Sequence, residues 1–178
     1  MQGRFNGKEF MISKTYHLRL ATIDDAADIV DLQVRGWKHS YKGIIDQSYL
    51  DNICSKQRLE WRLQNMAKGE SWTLVVEHGG KIIGECDIGI SRMLEFGKGE
   101  IFAFYVDKDH QRKGIGTMLW DAAVQKLTQE NLVPYIVLML AQNLPARAFY
   151  QTMGGVFCGE TQTTINGKLY DEVVYKYS

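Results

Sequence analysis

Apolar residues recur along this chain at two different spacings, and the switches between them mark out its elements. Ala26, Ile29, Val30, Val34 and Trp37 repeat at three and four residues, the period of one buried helix face. Thr22 and Asp25 stand ahead of them in the arrangement of a capping box, and Gly43 lies beyond. The pattern predicts a short strand at Tyr16–Leu20 and then a helix to about His39. A second helical stretch is expected from about Ser48 to Ala67, carrying Leu50, Ile53, Leu59, Leu63 and Met66 and ended by Gly69. Two runs rich in β-branched residues follow, Trp72–His78 and Lys81–Ile90, joined by Gly79 and Gly80 as a two-residue hairpin. A loop with Gly97 and Gly99 leads into a further strand, Glu100–Val106.

After Val106 the chain turns polar and glycine-containing. Ile115, Leu119, Ala123 and Leu127 then recur at four-residue steps, predicting a helix from about Ile115 to Glu130. Pro134 leads into an apolar strand, Tyr135–Leu140. Asn143, Leu144 and Pro145 open a short helix, with proline in its first turn. Ala146, Phe149, Tyr150 and Met153 share one of its faces, and Gly154 and Gly155 stop it. Strands near Val156–Thr163 and Tyr170–Tyr177 flank a turn at Asn166 and Gly167. The order is β-α-α-β-β-β-α-β-α-β-β, a mixed α/β (α+β) sheet. Hairpin-joined strands pair antiparallel, while the strand–helix–strand unit from Glu100 to Leu140 makes a parallel pair with a right-handed crossover.

Composition narrows the class. At 178 residues, 45% apolar and 24% charged, the chain reads as one globular domain over residues 15–178. Residues 1–14 are polar and carry no apolar signal segment, so a flexible extension is expected, with Met11 as an alternative start. The formal net charge of zero argues against a nucleic-acid or membrane surface. Cys54, Cys86 and Cys158 have no framework spacing and read as reduced thiols of a cytoplasmic protein. The four histidines are scattered, so no metal site is expected.

The segment from Val106 to Thr117 (VDKDHQRKGIGT) carries the candidate chemistry. It joins a strand to a helix, where the first N–H groups of the helix lack internal partners and the macrodipole is positive. A phosphate suits that position. Glycine at 114 and 116 removes side chains that would hold a pyrophosphate off the backbone, and Arg112 and Lys113 add positive charge. A dinucleotide-binding loop would need a third glycine where Leu119 stands, and a P-loop would end in Gly-Lys-Ser/Thr.

Gln111-Arg112-Lys113-Gly114-Ile115-Gly116 resembles the Q/R-x-x-G-x-G/A signature of the GNAT superfamily of N-acetyltransferases. Glu100–Val106 is similar to that family's fourth strand, and residues 143–155 (NLPARAFYQTMGG) resemble its second motif. The resemblance implies a mostly antiparallel twisted sheet whose fourth and fifth strands splay apart. It implies acetyl-CoA as donor, without a metal, and an amine on a small molecule as acceptor, polyamine-like or amino-acid-like. Alternatives are a protein or peptide amine, or an idle acyl-CoA sensor. Dimerisation is common in the family, so a homodimer is among the assemblies it admits.

The same resemblance implies site roles. Pyrophosphate would lie on Gln111, Arg112, Lys113, Gly114, Ile115, Gly116 and Thr117. Pantetheine would pair with the backbone of Phe104, Tyr105 and Val106 and pass Asn143, Ala146, Phe149 and Tyr150. Tyr150 matches the family's catalytic tyrosine near the CoA sulfur, a general acid or, with a phenol of pKa about 10 against a thiol of about 8.5, in part a hydrogen-bond donor to the thiolate. By spacing alone it is equally an aromatic on the helix's core face. Asn143 also reads as a helix cap, and the two roles are compatible. Glu100 stands eleven residues before Gln111, where the histone-acetylating branch carries its catalytic glutamate, and is the candidate base, against a water relay. Trp37 to Ile44 (WKHSYKGI) resembles a W-x-x-x-Y-x-G-I segment of bacterial GNAT proteins. Trp37 and Tyr41 would clasp the amine by cation–π contact, with core packing as the other role for Trp37.

Overall fold

A computed structural model describes residues 16–178; the extension read from residues 1–14 lies outside the described residues. Strands β1 (His17–Leu20), β2 (Ser71–His78), β3 (Lys81–Ile90) and β4 (Gly99–Val106) pair antiparallel in sequence order. β5 (Tyr135–Leu140) lies parallel to β4, and the hairpin of β6 (Val156–Ile165) and β7 (Lys168–Tyr177) completes a seven-stranded sheet of order β1-β2-β3-β4-β5-β7-β6. Both predicted two-residue turns are present. Gly79 and Gly80 have φ of 57° and 75°, and Asn166 and Gly167 have 49° and 76°. Two left-handed residues in a row match the twist of the flanking strands.

Helices cover both faces. α4 (Ile115–Gln129) and α5 (Leu144–Thr152) pack on one, where Ile115, Leu119, Ala123 and Leu127 meet Leu74, Val76, Cys86 and Ile88. All four residues of the predicted α4 stripe are buried. α1 (Ala26–Ser40) lies on the opposite face, with Ile29 and Leu32 against Val75 and Ile82. Gly36 lets α1 approach β4: a Cβ there would stand 2.4 Å from the Tyr105 ring.

The helix expected over residues 48–67 is in fact two, α2 (Gln47–Asp51) and α3 (Ser55–Lys68). Asn52 donates its side-chain amide to the Ser48 carbonyl and ends the first. The face that α3 buries is also not the apolar one. Arg62 is buried while Leu63 is exposed, because Arg62 holds Asp87 of β3 through two nitrogens at 2.7 and 2.8 Å.

One irregularity sets up the site. β4 and β5 pair only at Gly99–Tyr135, Glu100–Ile136 and Ile101–Val137. Beyond Ile101 the strands part, although β5 keeps its ladder with β7 as far as Leu140. A bulge in the β3–β4 ladder between Asp87 and Ile88 falls at the same level and adds twist there.

Candidate active site

A cleft of about 750 Å³ fills the gap where β4 and β5 diverge. Ile101–Val106 form one wall, Leu138 and Met139 the other. α5 contributes Asn143, Ala146, Phe149 and Tyr150, and the end of α1 contributes His39, Ser40 and Tyr41. The cleft therefore runs from Gln111, Arg112 and Gly116 at the start of α4 to the last turn of α1.

The α4 end is shaped for an anion. Asp107 accepts from the Asp109 N–H at 3.0 Å and holds a short turn, and Gln111 Nε2 donates back to the Val106 carbonyl at 3.2 Å. Arg112 and Gly114 both take left-handed φ, 61° and 83°, so the loop curls before α4 begins. For Arg112 this is a strained conformation, of the kind that clusters at ligand-binding loops. Gly114 is the N-cap of α4, and among the described residues no side-chain cap bond closes the helix there. The first N–H groups and the positive end of the macrodipole are left facing outward. Arg112 lines the cleft, whereas Lys113 turns back and donates to the Asp109 carbonyl at 2.8 Å. Ile115 is buried in the core and anchors the helix, and Thr117 is exposed.

Farther along, Asn143 Oδ1 accepts from the Ala146 N–H at 3.3 Å, which caps α5, and the residue also lines the cleft. Tyr150 lies across the gap from β4, its ring 6.4 Å from that of Phe104, 5.9 Å from Trp120 and 5.3 Å from Phe149. Burial pushes its phenol well above the ordinary value, and nearby ionisable groups add to the effect. The Tyr177 hydroxyl donates to the Tyr150 carbonyl at 2.8 Å and holds the backbone of α5 in place. On the opposite side the Tyr41 and Tyr105 hydroxyls are hydrogen-bonded to each other, and burial raises both.

Of the residues predicted for the base and the acceptor, Glu100 and Trp37 stand away from the cleft. Glu100 is fully buried and accepts from the Arg92 backbone N–H at 2.9 Å, from Arg92 Nε at 3.1 Å and from Arg92 Nη2. Trp37 does make a cation–π contact, but its cation is Arg58, 4.4 Å above the ring, with Tyr41 and Tyr49 against its edges.

The sequence profile of the acetyltransferase (GNAT) family matches residues 34–155, which spans the cleft's β4, α4 and α5. The chain belongs to the GNAT acetyltransferase family. This acetyltransferase is 28% identical over 158 residues to YuaI of Bacillus subtilis, an uncharacterized N-acetyltransferase, covering 88% of this chain and 89% of that one. Its fold is shared with the paia N-acetyltransferase of Thermoplasma acidophilum, solved in complex with coenzyme A (TM-score 0.68, 18% identity, 92% of this chain and 99% of that one). It is shared too with yncA of Salmonella typhimurium, solved with acetyl-CoA (TM-score 0.67, 18% identity, 92% and 94%).

The acetyltransferase brings together residues that sequence patterns did not single out. Leu138 and Met139 line the cleft from a strand whose residues are all apolar, so nothing in the pattern separates cleft wall from core. His39 and Ser40 sit beside Tyr41, and only the position of α1 against β4 brings them in. Among the described residues, no group of three or more His, Cys, Asp or Glu stands close enough to hold a metal, and no helix is long and apolar enough to cross a membrane.

Proposed function

We propose that this acetyltransferase moves the acetyl group of acetyl-CoA onto an amine of a small molecule. The observation that carries the reading is the cleft between the parted strands, reaching from the uncapped start of α4 past Tyr150. The pyrophosphate accepts from the N–H groups at the start of α4, and Arg112 neutralises it. Pantetheine lies along Phe104, Tyr105 and Val106, whose β5 side has no ladder partner, and passes Asn143, Ala146 and Phe149. The thioester then stands near Tyr150, and the amine enters by Tyr41. Glu100, clamped by Arg92, braces the start of β4, and Trp37 packs the end of α1. The three free cysteines fit a reducing cytoplasm.

Tyr150 acts as a hydrogen-bond donor to the leaving sulfur. A phenol held protonated by burial does not surrender its proton to a thiolate of ordinary pKa about 8.5. It does stabilise the charge that develops there.

Calorimetry with CoA, and thiol release from acetyl-CoA over spermidine, L-lysine, kanamycin and a lysine-containing peptide, test the reading. CoA at a hundredfold excess over Kd is expected to stabilise the fold by about 2.7 kcal/mol, while ATP and NAD leave the melting temperature unchanged. Gly114→Glu places a side chain at a left-handed φ and a carboxylate beside the pyrophosphate, and is expected to abolish CoA binding. Undiminished CoA affinity in that variant would defeat the loop assignment.

A further inference from the structure

Acetyl transfer to an amine needs a base, because an ammonium has no lone pair with which to attack a thioester. Of the carboxylates on the acceptor side, Glu172 is half-buried near Tyr41 but does not line the cleft. Glu85 and Glu100 are both fully buried, and Glu100 is taken up by Arg92. Among the described residues, no carboxylate, lysine or cysteine lines the cleft. Its titratable side chains are Tyr41, Tyr105, Tyr150, Arg112 and His39. Burial raises all three phenols and keeps them protonated, and a guanidinium accepts no proton. The imidazole is what remains.

We propose that His39 is the general base that takes the acceptor's proton, a step that rests on the acetyl-transfer reading. His39 lies in the last turn of α1, after Lys38, where the helix meets the cleft. That end of α1 is fixed against β4. The Tyr105 ring fills the space a side chain at Gly36 would take, and the Tyr41 hydroxyl, just beyond the helix, is bonded to that of Tyr105. One imidazole nitrogen removes a proton from R–NH3+, and the freed pair forms the C–N bond to the thioester carbon. The carbonyl pair moves onto oxygen and returns as the C–S bond breaks. The second ammonium proton, now on the adduct nitrogen, passes to the departing thiolate, leaving an amide and CoA–SH. The side chain is exposed, so the proton on His39 leaves to water and resets the site.

The test compares wild type, His39→Gln, His39→Ala and Glu100→Gln, using the best acceptor among spermidine, L-lysine, kanamycin and a lysine-containing peptide. His39→Gln is expected to lower kcat/KM at neutral pH by about a hundredfold or more. The deficit shrinks as the pH approaches that of the free amine, CoA affinity is unchanged, and added imidazole partly restores His39→Ala. A His39→Gln variant within twofold of wild type would overturn the proposal. So would a loss equal at every pH, or the pH-dependent loss appearing in Glu100→Gln alone. A wild type that binds no CoA, or releases no thiol with any of the four amines, would take down the acetyl-transfer reading and this proposal together.

Discussion

Tyr150 and Glu85 are both held away from water, and in both burial favours the protonated form. For Tyr150 that makes a hydrogen-bond donor. Tyr150→Phe keeps the ring among Phe104, Trp120 and Phe149 and removes only the hydroxyl. A hydrogen bond to a charged group contributes about 1.5–3 kcal/mol, so kcat should fall roughly 10- to 150-fold while CoA affinity stays the same. Steady-state kinetics beside calorimetry separate the two, and an unchanged kcat would remove Tyr150 from the chemistry. For Glu85 the consequence is stability. Burial, with Asp87 nearby, lifts its carboxyl from 4.5 to about 8, and Gln33 holds one oxygen at 2.9 Å. Between those values the folded protein keeps a proton that the unfolded chain has lost, so stability falls as pH rises through the window. Glu85→Gln should flatten that part of the melting-temperature profile and raise stability near pH 8. Identical slopes in the two proteins would contradict it. Neither carboxylate environment was legible in the sequence, where Glu85 and Asp87 are simply two acidic residues in an apolar strand. What buries them is α1 and α3 arriving from elsewhere in the chain.

At the scale of elements, local patterns located the helices and strands but not every buried face. α4 is the clear success: four apolar residues at four-residue steps all reach the core, because nothing polar competes for that side. α3 shows the opposite outcome. A bidentate pair from Arg62 to Asp87, with Thr73 donating to the same carboxylate at 2.5 Å, rotates the helix so that Leu63 faces solvent. Arg62→Ala leaves Asp87 buried and unpaired and should cost about 3–5 kcal/mol, the usual range for breaking a buried pair. Denaturant unfolding of Arg62→Ala beside Arg62→Ala with Asp87→Ala checks the reason. The double variant should recover part of the loss, and a double variant less stable than the single one would show that packing rather than charge is at stake. The split into α2 and α3 was missed for a related reason: the apolar spacing runs on through Asn52, whose amide finds a backbone carbonyl and stops the helix.

At the scale of the whole molecule the feature that the proposed function rests on is a gap in the sheet. β4 and β5 hold three ladder positions and then separate, and the unpaired edge of β4 becomes a wall of the cleft. Hydrogen exchange reads this directly. On adding CoA, amides between Phe102 and Val106 and at the start of α4 should slow, while those of β2 hold their rates. Unchanged exchange in β4 would mean that the cofactor does not lie in the gap. The sequence by itself determined the order of the strands, both tight turns, the α4 stripe and the glycine-containing loop before α4. Each of these rests on spacing and backbone preference within a few residues. Only the tertiary structure decided that Glu100 is clamped by Arg92, that Arg58 covers Trp37, that Glu85 is sealed beneath α1, and that His39 reaches the cleft. Those are meetings between residues far apart in the chain, settled by how helices seat on a twisted sheet, and short-range periodicity carries no record of them.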